Sequence, residues 1–322
     1  MRTRHFLLSL AAGASLAAMA ATGAPQGWLD VLDSPAQKSP LASRGLFNGL
    51  AMAGQRVVAV GQRGHILFSD DAGKSWKQAD VPVSSDLVAV HFPSSPAGWA
   101  VGHDGVVLHS ADAGRTWTRQ RDGRPNGAEN PLLDVWFEDA RTGYAVGAFG
   151  MILRTRDAGA HWEALADAAD NPKNLHLYAV RGIDGDVYMA GEQGLLLKRD
   201  AASGRFRAIE SPYKGTLFGI TGNAGAVVAY GLRGNVVRSG DRGATWQGLN
   251  AGVPVGLTAG ALDARGRIVL TSQTGHVLAS DDGGASFSPI KLDRPIPAAA
   301  VLAMGSGLIV AGPRGLQALT LP

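Results

Sequence analysis

The sequence predicts an all-β fold, a seven-bladed β-propeller, and two recurring signals carry this prediction. The first signal is a four-residue turn motif, bounded by glycine in most copies, which recurs every 40 to 45 residues. Its seven copies are Gly61–Gly64, Gly102–Gly105, Gly147–Gly150, Gly191–Gly194, Gly231–Gly234, Ser272–Gly275 and Gly312–Gly315. A period of this length, with four strand-sized apolar runs in each unit, is typical of a propeller blade.

The second signal, Ser-x-Asp-x-Gly-x-Thr-Trp, follows the turn motif at a fixed offset. Its copies are Ser69–Trp76, Ser110–Trp117, Thr155–Trp162, Ser239–Trp246 and Ser280–Phe287, with a degenerate version at Asp200–Phe206. The carboxylate can accept backbone N–H groups of its own turn, the glycine takes a conformation that a Cβ disfavours, and the aromatic side chain is expected to be buried. The motif resembles the Asp-box (BNR) repeats of sialidases and sortilin-like receptors, so it indicates the fold and not the function.

The blades follow from these two signals. Between them, runs such as Val106–Ser110 alternate with period two, which indicates strands, and Gly102–Gly105 is typical of a tight hairpin turn with positive φ. The predicted blades are Leu46–Ala79, Leu87–Gln120, Leu133–Leu165, Leu177–Ile209, Leu217–Leu249, Gly256–Ile290 and Ala299–Leu319. The longest linkers, 121–131 and 166–176, are polar and are predicted to be exposed loops.

The start of the chain is predicted to be a signal peptide, residues 1–24, cleaved near residues 20–24. Arg2 and Arg4 give a basic start, an apolar run follows, and small residues precede the expected cleavage point. The alternative is an uncleaved membrane anchor, which the shortness of the apolar run disfavours. We therefore expect export by a Sec-type pathway to the periplasm, with residues 25–322 forming a single propeller domain.

The segment Trp28–Leu32 is predicted to close the ring. It has the pattern of the last strand of a blade but precedes blade one, whereas blade seven ends after Leu319 without such a strand. We expect the N-terminal strand to complete the last blade and cover its open edge, with Trp28 buried. The alternative is a loose N-terminal tail.

Composition excludes several classes of function. The chain has no cysteine, so disulfides and thiolate chemistry are absent, and the formal charge of +3 falls to about +1 without Arg2 and Arg4. With no basic run interleaved with aromatic residues, no nucleic-acid partner is predicted. No catalytic, metal-binding or phosphate-binding motif occurs, so we predict a non-enzymatic protein without metal or cofactor.

The turn motifs and Asp-box endings, in phrases such as Gly143–Gly147 and Ile152–Gly159, resemble those of the photosystem II stability/assembly-factor propellers and their relatives in non-photosynthetic bacteria. The resemblance covers Trp28 to Leu319 and departs from the pattern at Ser272 and in blade four. It implies a non-enzymatic, exported scaffold or assembly factor, a monomer on its own, that binds a membrane protein complex. For the bacterial relatives it implies association with transporters of the resistance-nodulation-division (RND) type. The alternative is a sialidase-like carbohydrate-active enzyme or a glycan-binding propeller.

Strand order places the candidate binding residues on one face of the propeller. The turn motifs and the blade-to-blade linkers share this face, whereas the Asp-box turns lie on the other. The candidates in turns are Arg63, Phe149, Arg233 and Arg314, and those in or beside linkers are Arg44, Lys214 and Arg294. Because blades seven and one are neighbours, a contiguous basic sector is predicted from Arg294, Arg314, Arg44 and Arg63. Phe149 is predicted to be an aromatic anchor in the opposite sector. The alternative is that all seven are ordinary solvated residues.

Overall fold

The computed structural model describes residues 29–124, 130–165 and 167–321, so the predicted signal peptide and Trp28 lie outside the described residues. The architecture is all-β, with 27 strands in seven antiparallel sheets. The helical elements are single 3-10 turns at Ala42–Arg44, Gln62–Gly64, His103–Gly105, Ala148–Gly150, Glu192–Gly194 and Leu232–Gly234. Over these ranges, no helix is long and apolar enough to cross a membrane.

Each blade is a meander of consecutive strands. The first three blades contain β1 (Phe47–Ala53), β2 (Arg56–Gly61), β3 (Ile66–Ser69) and β4 (Lys77–Gln78); β5 (Leu87–His91), β6 (Gly98–Gly102), β7 (Val107–Ser110) and β8 (Thr118–Arg121); and β9 (Leu132–Phe137), β10 (Gly143–Gly147), β11 (Ile152–Thr155) and β12 (Glu163–Ala164).

The next three blades also have four strands each. They contain β13 (Leu177–Ile183), β14 (Asp186–Gly191), β15 (Leu196–Arg199) and β16 (Phe206–Ile209); β17 (Leu217–Asn223), β18 (Ala226–Gly231), β19 (Asn235–Ser239) and β20 (Gln247–Asn250); and β21 (Leu257–Leu262), β22 (Ile268–Ser272), β23 (Val277–Ser280) and β24 (Ser288–Ile290). Blade seven contains β25 (Ala300–Met304), β26 (Gly307–Gly312) and β27 (Gly315–Thr320).

The blades form a closed ring, which confirms the predicted seven-bladed propeller. The first strand of every blade contacts the first strand of the next, and β25 contacts β1. Burial follows this arrangement: β1 alternates between buried and partly exposed positions, β2 is buried throughout, and the outermost strand β4 is largely exposed. The core consequently lies between neighbouring blades, because a single blade cannot bury both of its faces.

The two glycines of the turn motif pack closely against the linkers that enter and leave the blade. At Gly61 a Cβ would lie 2.2 Å from the Leu46 carbonyl oxygen, which accepts a hydrogen bond from the Gln62 amide at 3.1 Å. Gly64 has φ +68°, and a Cβ there would lie 2.1 Å from the Val83 carbonyl oxygen. The first glycine therefore allows close packing against the incoming linker, and the second supplies both positive φ and close packing against the outgoing linker.

The Asp-box turns are self-contained hydrogen-bonded units, as predicted. In blade one the Ser69 hydroxyl donates to Asp71 at 2.8 Å and accepts from the Gly73 amide at 2.8 Å, while Asp71 accepts from the Ser75 amide at 2.8 Å. A hydrogen bond from the Ser75 hydroxyl at 2.5 Å, followed by those from the Ser75 amide and the Ser69 hydroxyl, lowers the pKa of Asp71 to about 2. The aromatic residues that end the motifs are fully buried at Trp117 and Phe206 and partly buried at Trp76, Trp162, Trp246 and Phe287.

The prediction that Trp28–Leu32 forms the closing strand is wrong for the residues that the structure describes, 29–32. Leu29 and Asp30 have no regular structure, and Val31–Ser34 is a turn. The Val31 carbonyl accepts a hydrogen bond from the Ser84 amide at 2.7 Å, in the linker between blades one and two. Among the described residues blade seven therefore has three strands.

Local polar contacts hold the N-terminal segment beside blades one and two. Asp30 accepts a hydrogen bond from the Leu32 amide at 2.8 Å, which favours a turn over an extended strand, and Asp33 pairs with Arg124 of blade two at 2.8 Å. Leu32 is 3% exposed and packs in the core between blades one and two. The ring is closed by the contacts of β25 and β26 with β1, and the 3-10 turn Ala42–Arg44 also contacts β27.

Candidate protein-binding face

The hairpin face, defined as the seven turn motifs together with the blade-to-blade linkers, holds its exposed side chains on fixed backbone. At the tip of the blade-one turn Arg63 has φ 55° and ψ 34°, and its amide donates to the Asp86 carboxylate at 2.7 Å. The equivalent tips Asp104, Phe149, Gln193 and Arg233 have the same left-handed backbone. The turn therefore fixes the backbone of each tip residue while its side chain faces solvent.

The chain segments that carry four of the predicted arginines, Arg294, Arg314, Arg44 and Arg63, are close together across the junction of blades six, seven and one. The Arg314 guanidinium reaches the Pro295 carbonyl oxygen at 3.5 Å, beside Arg294. The backbone of Ser43 and Arg44 packs against Gly315, immediately after Arg314. On the other side of Arg44, Gly45 packs against the side chain of Gln62, the neighbour of Arg63. We call these four arginines the basic sector.

The guanidinium groups of the basic sector have no carboxylate partner among the described residues. All four arginines are exposed, and none of them forms an ion pair within residues 29–124, 130–165 and 167–321. Other arginines do pair with carboxylates, on both faces; on the linkers of the hairpin face Arg124 pairs with Asp33 at 2.8 Å. Examples on the Asp-box face are Arg56 with Asp70 at 2.6 Å and Arg199 with Glu138 at 3.0 Å. An exposed guanidinium without a partner is available to a carboxylate of another molecule.

Lys214 and Arg233 lie apart from the basic sector, in blades four and five. Lys214 is exposed in the linker that leads into β17, and its backbone packs against Gly194 of the blade-four turn. Beside it is a pocket of about 420 Å³, which Lys173 and Glu210 also line. Arg233 is exposed at the tip of the blade-five turn and, like Lys214, forms no ion pair with the described residues.

Phe149 is 60% exposed at the tip of the blade-three turn and begins a row of aromatic rings that the sequence did not predict. Its ring centroid lies 4.9 Å from that of His176, which lies 6.4 Å from Tyr178, which lies 5.6 Å from Phe218. We call these four residues the aromatic groove. Tyr178 and Phe218 are the second residues of β13 and β17, at the hairpin-face end of the innermost strands, so the groove leads from the blade-three turn to the mouth of the central channel.

Three strand tyrosines, the residue type that sialidases use as a nucleophile, are buried. Tyr144, Tyr188 and Tyr230 are between 1% and 5% exposed, so none can reach a bound sugar without local unfolding. The Tyr188 hydroxyl is already committed, donating to the Arg242 carbonyl oxygen at 2.8 Å. In the parts of the chain that the structure describes, no group of three or more histidines or carboxylates could hold a metal ion.

A closed ring of blades with Asp-box endings and glycine-bounded turns defines an Asp-box propeller. The profile of the family described as photosynthesis system II assembly factor YCF48 matches residues 30–124 and 125–273. The chain belongs to this family. No curated protein matches the chain.

Two solved structures show the same fold. One, described as YCF48 bound to D1 peptide, has 17% sequence identity and a TM-score of 0.69, covering 91% of this chain and 99% of its own. The other, YCF48 from Cyanidioschyzon merolae, has 17% identity and a TM-score of 0.66, covering 89% of this chain and 99% of its own. At this identity the likeness establishes the propeller architecture.

Proposed function

We propose that this chain is a non-enzymatic periplasmic assembly or accessory factor that binds a membrane protein complex through its hairpin face. The observation that carries the proposal is the basic sector: four exposed arginines on neighbouring turns and linkers have no ion-pair partners among the described residues. Membership of the assembly-factor family supports the role in assembly.

The chemistry of the sector indicates what it binds. A guanidinium presents a planar fork of donors that matches a carboxylate, so a row of four favours a segment with several acidic side chains or a free C-terminal carboxylate. Because Arg63 and Arg314 are carried by hairpin turns, little backbone entropy is lost when they engage a ligand. The YCF48 structure that contains a D1 peptide supports the idea that a propeller of this family takes a peptide segment of a membrane protein.

The proposal also specifies the compartment in which the protein acts and the class of membrane complex that it binds. The basic start and apolar run of residues 1–24 support export to the periplasm, where the hairpin face would meet the exposed segments of inner-membrane proteins. A transporter complex of the RND type is the partner class that we propose, on the basis of the bacterial relatives that the sequence resembles. The protein would act as a monomer.

The proposal is tested by charge reversal on the hairpin face. Replacing Arg63, Arg233 and Arg314 by glutamate is expected to abolish capture of the membrane partner by tagged protein from detergent-solubilised membranes. The melting temperature should stay within a few degrees, because exposed charges contribute little to stability. Quantitative mass spectrometry of the captured proteins measures the loss.

The matched control reverses three exposed cations of the Asp-box face, Lys74, Arg115 and Arg156, none of which forms an ion pair with the described residues. This variant should retain capture. Capture that survives the hairpin-face reversal, or that is lost equally in both variants, would show that the binding site lies elsewhere.

A further inference from the structure

We infer that the aromatic groove is a second recognition element, which takes an aromatic or large aliphatic side chain of the partner segment next to an acidic residue. The inference rests on the proposed function and specifies the chemistry of the partner. Its basis is the unbroken series of ring contacts from Phe149 through His176 and Tyr178 to Phe218.

The four rings are not part of the hydrophobic core. Each of the core clusters in the described residues is built from buried side chains with partly buried ones packed against them, and none includes any of the four. Phe149 is the only aromatic among the largely exposed hydrophobic residues of the described chain. Contiguous aromatic surface that the core does not use is typical of an interaction site.

The residue type at the Phe149 tip supports the same conclusion. Its φ of 54° and ψ of 36° lie in the left-handed region, which is unfavourable for a bulky side chain. The corresponding tips in other blades carry polar residues, such as Arg63, Asp104 and Gln193. The turn imposes this backbone in every such blade, so what is particular to Phe149 is the exposed apolar surface, which does not contribute to the core clusters.

The charges around the groove indicate the rest of the ligand. Lys214 precedes the strand that carries Phe218, and Arg233 is the tip of the same blade. Glu192, whose carboxylate accepts a hydrogen bond from the His176 amide at 2.9 Å, keeps its negative charge, so a ligand carboxylate is placed away from it, at the Lys214 and Arg233 side. We therefore commit to one occupant: a segment of the membrane partner in which an apolar side chain fills the groove while a neighbouring carboxylate faces Lys214 and Arg233.

The test is a selection of short random peptides displayed on phage, with the immobilised full-length protein as bait, followed by affinity measurements on the enriched peptides. Enriched sequences should combine Phe, Tyr, Trp or Leu with a nearby Asp or Glu. The Phe149→Asn variant, which keeps a residue that tolerates positive φ, should bind these peptides about tenfold more weakly or worse. Replacing the apolar residue of the peptide by alanine should weaken binding to the unmodified protein and have little further effect on Phe149→Asn.

The matched control is Leu29→Gln, which removes a side chain that is 73% exposed but lies outside the groove and the turn motifs. This variant should bind like the unmodified protein. No enrichment, enriched peptides without an apolar residue, or equal affinity for Phe149→Asn and Leu29→Gln would overturn the inference. If reversal of Arg63 and Arg314 alone abolishes peptide binding while Phe149→Asn leaves it intact, the proposed function stands and the groove alone is wrong.

Discussion

Trp99→Ala is expected to lower the free energy of unfolding by about 4 to 5 kcal/mol, measured by chemical denaturation. Trp99 is fully buried between blades two and three, where its ring stacks on Phe137 with centroids 3.6 Å apart. Its indole N–H donates to Gln120 at 3.1 Å, and Gln120 in turn donates to the Ala158 carbonyl oxygen of blade three at 2.9 Å. The substitution removes a large apolar surface and loosens the polar link between the two blades.

The control for this substitution is Trp76→Ala, because Trp76 ends an Asp box but is only partly buried, at the edge of the cluster shared by blades seven and one. Its cost should be about half as large or less, since the lost transfer energy follows the buried area. Equal losses in the two variants would show that stacking between blades contributes no more than the Asp-box aromatics do.

Acid is expected to destabilise the propeller well before its carboxylates titrate, and His91 is the main cause. Burial and the charge of Arg181 lower the pKa of His91 to about 3, and its Nδ1 accepts the Phe137 amide at 3.1 Å. The unfolded chain binds a proton at the ordinary histidine pKa of 6.5, whereas the folded chain does not until about 3. Stability is therefore lost as the pH falls from 6.5 towards 3. By pH 4 the loss is about 2 to 3 kcal/mol, at about 1.4 kcal/mol per pKa unit and with allowance for partial exposure of the ring.

The variant His91→Asn keeps a hydrogen-bond acceptor and removes the titration. It should flatten the dependence of unfolding free energy on pH between 6.5 and 4, leaving a smaller slope from His65 and His109, whose pKa burial also lowers. The Asp-box carboxylates cannot produce the same effect, because Asp71 and Asp241 have pKa values of about 2 and lose their contribution only between 3.8 and 2. An unchanged slope in His91→Asn would assign the acid sensitivity to another group.

The repeating parts of the fold could be predicted from the sequence because each is fixed by local chemistry. The tip residue and second glycine of the turn need positive φ, as Arg63 and Gly64 show, and the Asp box needs a carboxylate within reach of its own backbone, as at Asp71. The adjacency of Arg44 and Arg314 followed from strand order alone, since the linker into blade one must pass the last turn of blade seven.

The N-terminal segment and the aromatic groove depend on contacts between distant parts of the chain. Trp28–Leu32 has the pattern of a strand, but the pairing of Asp33 with Arg124 holds its described end beside blade two. The groove combines a turn of blade three with strands of blades four and five. Part of its signal was present in the sequence, because Tyr178 and Phe218 share one position of the repeat. However, strand periodicity does not show that their rings meet.

The most direct measurement of where this protein binds is site-specific photo-cross-linking in intact cells of the producing organism. A photoreactive amino acid is placed singly at Arg63 and Phe149 on the hairpin face and at Lys74 and Arg115 on the Asp-box face, all of which are exposed. We expect irradiation to attach a membrane protein at the two hairpin-face positions and not at the other two. Binding through the hairpin face would be contradicted by cross-links of equal yield at all four positions. It would also be contradicted if the hairpin-face positions gave no cross-link or if cross-links formed at the Asp-box face alone.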